Sequence, residues 1–318
     1  MDSSQGSTQQ KIVILNSHNE NLVGLLHETG STEIVVLCHG FRSNKNFEIM
    51  KNVAVAIERE GISAFRFDFS GNGYVFLSCI ILNKLVFVLT LGLWCFHSFR
   101  ESEGSFYYGN YNYEADDLHS VIQYFSNLNR VVTIILGHSK GGDVVLLYAS
   151  KYHDIPNVIN LSGRYDLKKG IGERLGEDFL ERIKQQGYID VKDGIVIALR
   201  FSCTVIRTLV LLSMYWFVTG DSGYRVTEES LMDRLNTDMH EACLKIDKEC
   251  RVLTVHGSGD ETVPVEDAKE FAKIIPNHEL QIVEGADHCY TNYQSQLVLT
   301  VMEFIKSHCE EKNDKTCN

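Results

Sequence analysis

The chain has 318 residues, of which 44% are hydrophobic and 23% charged, a composition typical of a globular protein with one large α/β domain or two small ones. Its net charge of −12 argues against nucleic acid and anionic membranes as partners. The spacing of its nine cysteines fits neither a zinc site nor a disulfide framework, which favours free thiols in a reducing compartment. The polar N-terminus has no signal region, so we expect a cytoplasmic protein, with the nucleus as the alternative.

Apolar stretches alternate with helical patterns along most of the chain. Residues 1–10 are predicted to form a disordered tail and residues 310–318 a second tail. Extended stretches beginning at Lys11 and Leu22 predict an opening β-hairpin. Further predicted strands are 33–40, 63–71, 131–139, 157–163, 251–260 and 279–285, and predicted helices are 46–60, 113–128, 142–152, 265–275 and 293–308. This order predicts an α/β fold whose mostly parallel central sheet is flanked by helices on both faces.

The stretch 168–248 interrupts the alternation. It contains charged helical segments such as GEDFLERIKQQ and TEESLMDRLNTDMHEACLKI. We interpret it as a helical cap inserted between two sheet strands, because ligands bind near the ends of parallel strands. Residues 11–167 and 249–309 would then form the α/β core.

A candidate nucleophile lies in the G-x-S-x-G pattern formed by Gly137, Ser139 and Gly141. The pattern follows a predicted strand and precedes a predicted helix, where small flanking residues allow a sharp turn that exposes the serine hydroxyl. The backbone N–H of Lys140 would face a developing oxyanion. The pentapeptide by itself is a weak signal, and the alternative is a tight glycine turn without chemistry.

A second oxyanion donor is predicted where the strand 33–40 ends. The residues there are His39, Gly40 and Phe41. The N–H of Phe41 is the candidate donor. We expect His39 to support the loop, because a lone loop histidine is more often structural than catalytic.

The acid of a catalytic triad is predicted to be Asp260. It follows the strand RVLTVHGSG, whose glycines allow a tight turn, and it precedes a predicted helix. Asp166 also follows a strand and is the rival candidate, although it could equally cap a helix or form an ion pair. Order along the chain favours Asp260.

The general base is predicted to be His288, near the end of the last strand. It would take the proton of Ser139 and deliver it to the leaving group. The order serine, aspartate, histidine at the ends of three strands is far more specific than any single motif. His256 and His278 lie too early in their strands, and we interpret them as packing or surface residues.

The motifs VVLCHGFRSNKN, FRFDFSGNG, ILGHSKGGDVVLLYAS, VLTVHGSGDETVP and EGADHCY resemble those of the α/β-hydrolase superfamily. Within it the chain is most similar to the serine-aminopeptidase-like and feruloyl-esterase-like branch, including plant members. The resemblance implies a serine hydrolase that acts on a small acyl substrate and needs no cofactor or metal. It leaves open whether the bond cleaved is in an ester, a lipid or a peptide.

Two apolar segments, 74–100 and 195–220, do not belong to this pattern. As membrane-spanning helices they would place Ser139 on the opposite side from Asp260 and His288, so we expect no stable span. As parts of a cap they could line an acyl pocket or touch a membrane peripherally. We favour a third interpretation, translated retained introns or gene-model errors, because both segments interrupt otherwise continuous hydrolase sequence.

The favoured hypothesis is an acyl hydrolase that uses Ser139, Asp260 and His288. One alternative is a non-catalytic ligand-binding protein of the same fold, because fold does not decide function. Another is an inactive isoform of an enzyme, disrupted by the two apolar segments.

Overall fold

The computed structural model describes residues 9–73, 101–192 and 223–316, with side chains described as far as residue 307. The apolar segments 74–100 and 195–220, and their expected membrane or pocket roles, lie outside the described residues. In the described ranges no helix is both long and apolar enough to cross a bilayer.

Eight strands form the central sheet, in the order β1-β2-β4-β3-β5-β6-β9-β10. They are β1 (Gln9–Leu15), β2 (Asn21–His27), β3 (Glu33–Cys38), β4 (Ser63–Phe67), β5 (Val131–His138), β6 (Asn157–Leu161), β9 (Arg251–Gly257) and β10 (His278–Val283). Strand β2 pairs antiparallel with both β1 and β4, and the pairs from β4 to β10 are parallel. The sheet is therefore mostly parallel with an opening antiparallel hairpin, as the sequence predicts.

Helices follow most of these strands. They are α1 (Glu48–Arg59), α2 (Tyr111–Asn127), α3 (Lys140–Tyr152), α4 (Ile171–Leu175), α5 (Phe179–Gln186), α6 (Glu228–Asn236), α7 (Met239–Cys243), α8 (Val265–Ile274) and α9 (Gln294–Thr316). The predicted tails are shorter than expected, because Gln9 and Gln10 pair with β2 and α9 continues to Thr316.

The two faces of the sheet carry two separate apolar cores. In β3, Ile34 and Val36 belong to one core while Val35 and Leu37 belong to the other, because successive side chains of a strand point to opposite faces. Helices α2 and α3 cover the first face, and α1 and α9 cover the second. A strand buried on both faces has an almost continuous apolar sequence, so the run EIVVLC predicts a strand inside the sheet with helices on both sides.

The chain divides into two compact units. The first comprises Met1–Phe106, Tyr111–Leu167 and Thr237–Asn318, and the second comprises Tyr107–Asn110 and Lys168–Asn236. The first contains the whole central sheet. The second contains α4, α5 and α6, together with an antiparallel pair of strands, β7 (Tyr188–Val191) and β8 (Tyr224–Thr227). The helical pattern of 168–248 does not predict that pair, since four-residue strands are too short for a clear alternation.

Candidate active site

A sharp strand-to-helix turn presents Ser139. Strand β5 ends at His138, α3 begins at Lys140, and Ser139 between them has φ 56° and ψ −122°. A positive φ is costly for a residue with a Cβ and persists only where the surrounding structure enforces it. The predicted helix begins two residues earlier than expected, which places the Lys140 amide in its first turn, where backbone N–H groups lack helical acceptors.

Neighbouring glycines make this turn sterically feasible. A Cβ on Gly137 would lie 2.0 Å from the carbonyl oxygen of Gly141. A Cβ on Gly141 would lie 2.5 Å from the carbonyl oxygens of Cys38 and His39. The G-x-S-x-G spacing therefore has a direct physical cause, because any side chain at either glycine would push the helix away from the strand ends.

Ser139, His288 and Asp260 form one continuous chain of hydrogen bonds. His288 Nε2 lies 2.9 Å from Ser139 Oγ, and His288 Nδ1 lies 2.6 Å from Asp260 Oδ2. An ionised carboxylate only accepts, so Nδ1–H donates to Asp260 and leaves Nε2 to accept from the serine hydroxyl. The Asp260 side chain is fully buried and that of His288 is 15% exposed, so of these two the histidine is the one that a small molecule can approach.

Asp260 is held in its ionised form. Its Oδ1 accepts from the backbone N–H groups of Thr262 and Val263, both at 2.8 Å. Burial alone would raise the pKa of Asp260, but hydrogen bonds from His256 and His288, and the charge of His288, hold the pKa well below its usual range. The structure pairs His288 with Asp260 and not with the rival Asp166.

The loop after β3 lies directly against the serine turn. A Cβ on Gly40 would lie 3.0 Å from Ser139 Cβ and 3.1 Å from the carbonyl oxygen of His138, so only glycine allows this approach without a shift. Phe41 follows at once, and its ring packs edge-on against Phe106 with centroids 5.3 Å apart. Of the two predicted oxyanion donors, Lys140 directly follows Ser139, and Phe41 directly follows Gly40, which lies against the serine turn.

His39 ties that loop to the segment after β4. Its Nδ1–H donates to the carbonyl oxygen of Gly40 at 2.8 Å, and its Nε2 accepts from the N–H of Phe69 at 3.2 Å. Burial lowers the pKa of His39, which favours the neutral ring that this pair of bonds requires. These contacts agree with a supporting place in the loop.

A family model described as Serine aminopeptidase, S33, matches residues 30–189, half of the chain. The chain belongs to the S33 serine aminopeptidase family. It is accordingly a hydrolase with the α/β-hydrolase fold, which confirms the resemblance seen in its motifs. No curated protein sequence matches this S33 family member.

Solved structures with the same fold match nearly the whole length of this chain. Est1E from Butyrivibrio proteoclasticus with ferulic acid bound is 18% identical at a TM-score of 0.62, covering 93% of this chain and 98% of its own. An esterase from Pyrococcus furiosus is 17% identical at 0.60, covering 94% and 91%. The α/β hydrolase GrgF from Penicillium sp. sh18 is 15% identical at 0.66, covering 95% and 99%. At these identities the likeness concerns the fold.

Sequence reasoning missed His138, which packs against the proposed base of this S33 family member. Its Nε2 donates to the carbonyl oxygen of His288 at 2.9 Å, and the two rings lie 5.0 Å apart. Burial, with the charge of His288, lowers the pKa of His138 to about 3, so the ring is neutral. Its place as the variable residue before Ser139 gave no sign of this contact, which joins residues 150 positions apart.

The side chain of Lys140 was also missed. It is buried, its Nζ donates to Glu114 Oε1 at 2.7 Å, and it lies 5.0 Å from the centre of the Tyr111 ring. The ion pair links the first turn of α3 to α2. A charged residue inside a glycine-rich turn suggests an exposed side chain, so the sequence pattern does not indicate that Lys140 is buried.

Among the described residues, no group of three or more histidines, cysteines or acidic residues is arranged to hold a metal ion.

Proposed function

We propose that this hydrolase cleaves a carboxylic ester or a related acyl bond through an acyl-enzyme intermediate on Ser139. The observation that carries the proposal is the unbroken chain from Ser139 Oγ to His288 at 2.9 Å and from His288 to Asp260 at 2.6 Å. A nucleophile, a base and an orienting acid within hydrogen-bond reach are what covalent acyl transfer requires.

The proposed first half-reaction acylates Ser139. His288 Nε2 removes the hydroxyl proton while Oγ attacks the carbonyl carbon, and the carbonyl π electrons move to oxygen. The N–H groups of Phe41 and Lys140 stabilise that oxyanion. When the tetrahedral intermediate collapses, the bond to the leaving group breaks and His288 gives the leaving group its proton.

The proposed second half-reaction removes the acyl group. His288 accepts a proton from water, whose oxygen attacks the acyl carbon, and the carboxylic acid departs as Oγ recovers its proton. Asp260 keeps Nδ1 protonated throughout and stabilises the imidazolium that forms twice in each cycle. No electron carrier or metal enters this balance.

Ferulic acid in Est1E makes hydroxycinnamate esters a reasonable first substrate class to test. The paired rings of Phe41 and Phe106, next to the proposed oxyanion donor, support an aromatic acyl group. We propose methyl ferulate and p-nitrophenyl acetate as ester probes, with an aminoacyl anilide to detect the peptidase activity that the family description suggests.

The proposal is tested by covalent labelling with a fluorophosphonate. Ser139→Ala should abolish labelling and ester turnover, and His288→Ala should lower both by about three orders of magnitude or more. Ser162→Ala is the matched control, because Ser162 also has a positive φ of 54° but its hydroxyl bonds to Tyr290 Oη, at 2.9 Å, and not to a histidine. Labelling that survives Ser139→Ala would refute the nucleophile, and labelling without turnover would favour the ligand-binding alternative.

We also retain the proposals that residues 168–248 act as a cap that selects substrates and that the protein is cytoplasmic. The described cysteines Cys38, Cys243, Cys250 and Cys289 are all free thiols, which supports a reducing compartment. Replacing the cap should change KM for bulky esters more than the labelling rate of Ser139. Fractionation of cells that express the chain tests its location.

A further inference from the structure

His256 lies beside the proposed catalytic acid. It is the penultimate residue of β9, its side chain is fully buried, and its register partner on β10 is Ile282. The sequence places it with His278 as a packing or surface residue, yet the two differ in what they contact. His278 Nε2 lies 2.8 Å from Thr254 Oγ1, whereas the polar contacts of His256 all lead to the turn that carries Asp260.

The hydrogen bonds of His256 close a small ring around the Asp260 turn. His256 Nε2 lies 2.9 Å from the carbonyl oxygen of Val263, and a carbonyl only accepts, so Nε2 carries the proton. The N–H of Val263 in turn donates to Asp260 Oδ1 at 2.8 Å. The same Nε2 lies 3.4 Å from Asp260 Oδ2, the oxygen that binds His288. The imidazole of His256 therefore contacts both the backbone of the turn and the Asp260 carboxylate.

Packing alone does not account for a histidine at this position. His256 Nδ1 is buried and has no hydrogen-bond partner among the described residues. A buried polar atom without a partner costs folding free energy, and an apolar side chain of similar size would avoid that cost. The benefit that offsets the cost must come from Nε2, whose contacts are Val263 and Asp260.

We propose that His256 is a positioning residue that holds the Asp260 carboxylate in line with His288. This inference rests on the proposed catalytic role of Asp260. Without the His256 side chain, Asp260 Oδ2 would keep its contact with His288 but lose its contact with His256. The turn 260–263 would also lose its hydrogen bond to the His256 side chain of β9.

Several other ionisable groups interact with His256 or Asp260. They are His138, His288, Asp287, Cys289 and Tyr290 around Asp260, and Glu266 near His256. All of them remain in place when only His256 is changed. A change in pH dependence that is specific to His256 variants therefore reports on the contact between His256 and the Asp260 turn.

The test compares His256→Leu, which removes the donor, with His256→Gln, whose amide N–H can occupy the position of Nε2. His256→Asn is a second polar variant whose amide is too short to reach Val263. His278→Leu is the matched control, a histidine lost from the neighbouring strand. The rate of fluorophosphonate labelling is measured across pH for each variant, and thermal unfolding is followed by circular dichroism.

We expect His256→Leu to slow labelling on the order of ten-fold, the scale of one hydrogen bond to a charged group. The acid limb of its rate should move to higher pH, because Asp260 shares its charge with fewer donors and attracts the proton on His288 more strongly. His256→Gln should recover most of the rate and the wild-type limb, and His256→Asn should not. His278→Leu should leave the limb unchanged even if it lowers the unfolding temperature.

Two results would overturn the inference while leaving the proposed function intact. One is Ser139-dependent labelling in which His256→Leu and His278→Leu behave alike. The other, which applies even if His256→Leu does not fold, is that His256→Gln and His256→Asn give the same rate and the same limb. Loss of Ser139 dependence in the wild-type chain would instead refute the proposed function itself.

Discussion

Two joints between residues that are distant along the chain differ strongly in their surroundings. At the first joint, formed by Gly73 and Glu101, the N–H of Glu101 donates to the carbonyl oxygen of Gly73 at 2.9 Å. At the second joint, formed by Val191 and Tyr224, the two residues pair in the β7–β8 ladder. Each joint therefore holds together two residues that are far apart in sequence.

The first joint is part of a buried charge network. Lys45 Nζ lies 2.5 Å from Asp68 Oδ2 and 2.7 Å from Glu101 Oε2, and the Lys45 side chain is only 3% exposed. The neighbouring Phe69 N–H donates to His39, so this network adjoins the loop that carries the proposed oxyanion donor. The second joint carries an exposed ion pair between Arg225 and Asp190. A change at the first joint should therefore cost more stability than a change at the second, because its charges are buried.

The largest difference between the joints should appear when one cation is removed from each. Lys45→Met leaves the fully buried Asp68 carboxylate without its ammonium partner, and we expect a loss of about 3–5 kcal/mol in unfolding free energy. Arg225→Met, its control at the second joint, should change stability little, because exposed pairs contribute little. Urea unfolding followed by circular dichroism measures both, and equal losses would remove the distinction.

The next effect concerns space at the first joint. Gly73 has φ +88°, and a Cβ there would lie 2.2 Å from Asp68 Oδ2, whereas Gly30 has φ +82° with nothing within 4 Å. Both alanine variants incur the backbone cost, so we expect Gly30→Ala to lose about 1 kcal/mol and Gly73→Ala about 2–3 kcal/mol. The difference between their urea midpoints isolates the contact with Asp68. Identical midpoints would show that Asp68 moves away freely.

A smaller effect should depend on pH. Burial alone would raise the pKa of Glu101, but the hydrogen bond and charge of Lys45, with the charge of Lys11, hold it below its ordinary value of 4.5. A carboxylate whose pKa is lowered by folding contributes stability above its unfolded pKa and loses it as pH falls through the folded pKa. We therefore expect Glu101→Gln to be less stable than the wild type at neutral pH.

That difference should shrink as pH falls below the ordinary value of Glu101, and thermal unfolding at a series of pH values follows it. Asp190→Asn at the second joint provides the comparison. Any effect there should vanish with added salt, because the pair is solvent-exposed. A difference between wild type and Glu101→Gln that is constant down to strongly acid pH would contradict the assignment.

The smallest effect should come from shortening the chain at the joints. Joining Gly73 directly to Glu101, or closing the β7–β8 hairpin with a short Asn-Gly turn, should leave fluorophosphonate labelling and unfolding temperature unchanged or raised. This outcome would also agree with the interpretation of 74–100 and 195–220 as sequence foreign to the fold. Loss of labelling in a folded shortened chain would show instead that a removed segment serves the site.

Most of the central fold could be predicted from the sequence because its strands are buried on both faces. Runs such as EIVVLC and VVTIIL have few other stable arrangements, and the hairpin follows from its polar turn. Less could be predicted where contacts join distant positions. The charged helical segment 227–246 is interrupted at Thr237, because Asp238 caps a new helix by accepting from the N–H of Glu241.

The candidate site shows the same division. The hydrogen-bonded grouping of Ser139, Asp260 and His288 could be predicted, because each stands at a strand end in a fixed order and the glycine spacing reflects a steric need. The contacts of His138, His256 and the Lys140 side chain could not, because their partners are distant along the chain or lie across a turn. Buried polar contacts of this kind leave no periodic trace in the sequence.

The positive φ of Ser139 implies a trade-off between stability and activity at the proposed nucleophile. The backbone there would suit glycine, yet a residue with a reactive side chain occupies it. Ser139→Gly should therefore be more thermostable than Ser139→Ala, since both lack the hydroxyl but only glycine relieves the backbone. The proposed nucleophile thus has a strained backbone, so selection for stability alone would tend to replace this serine.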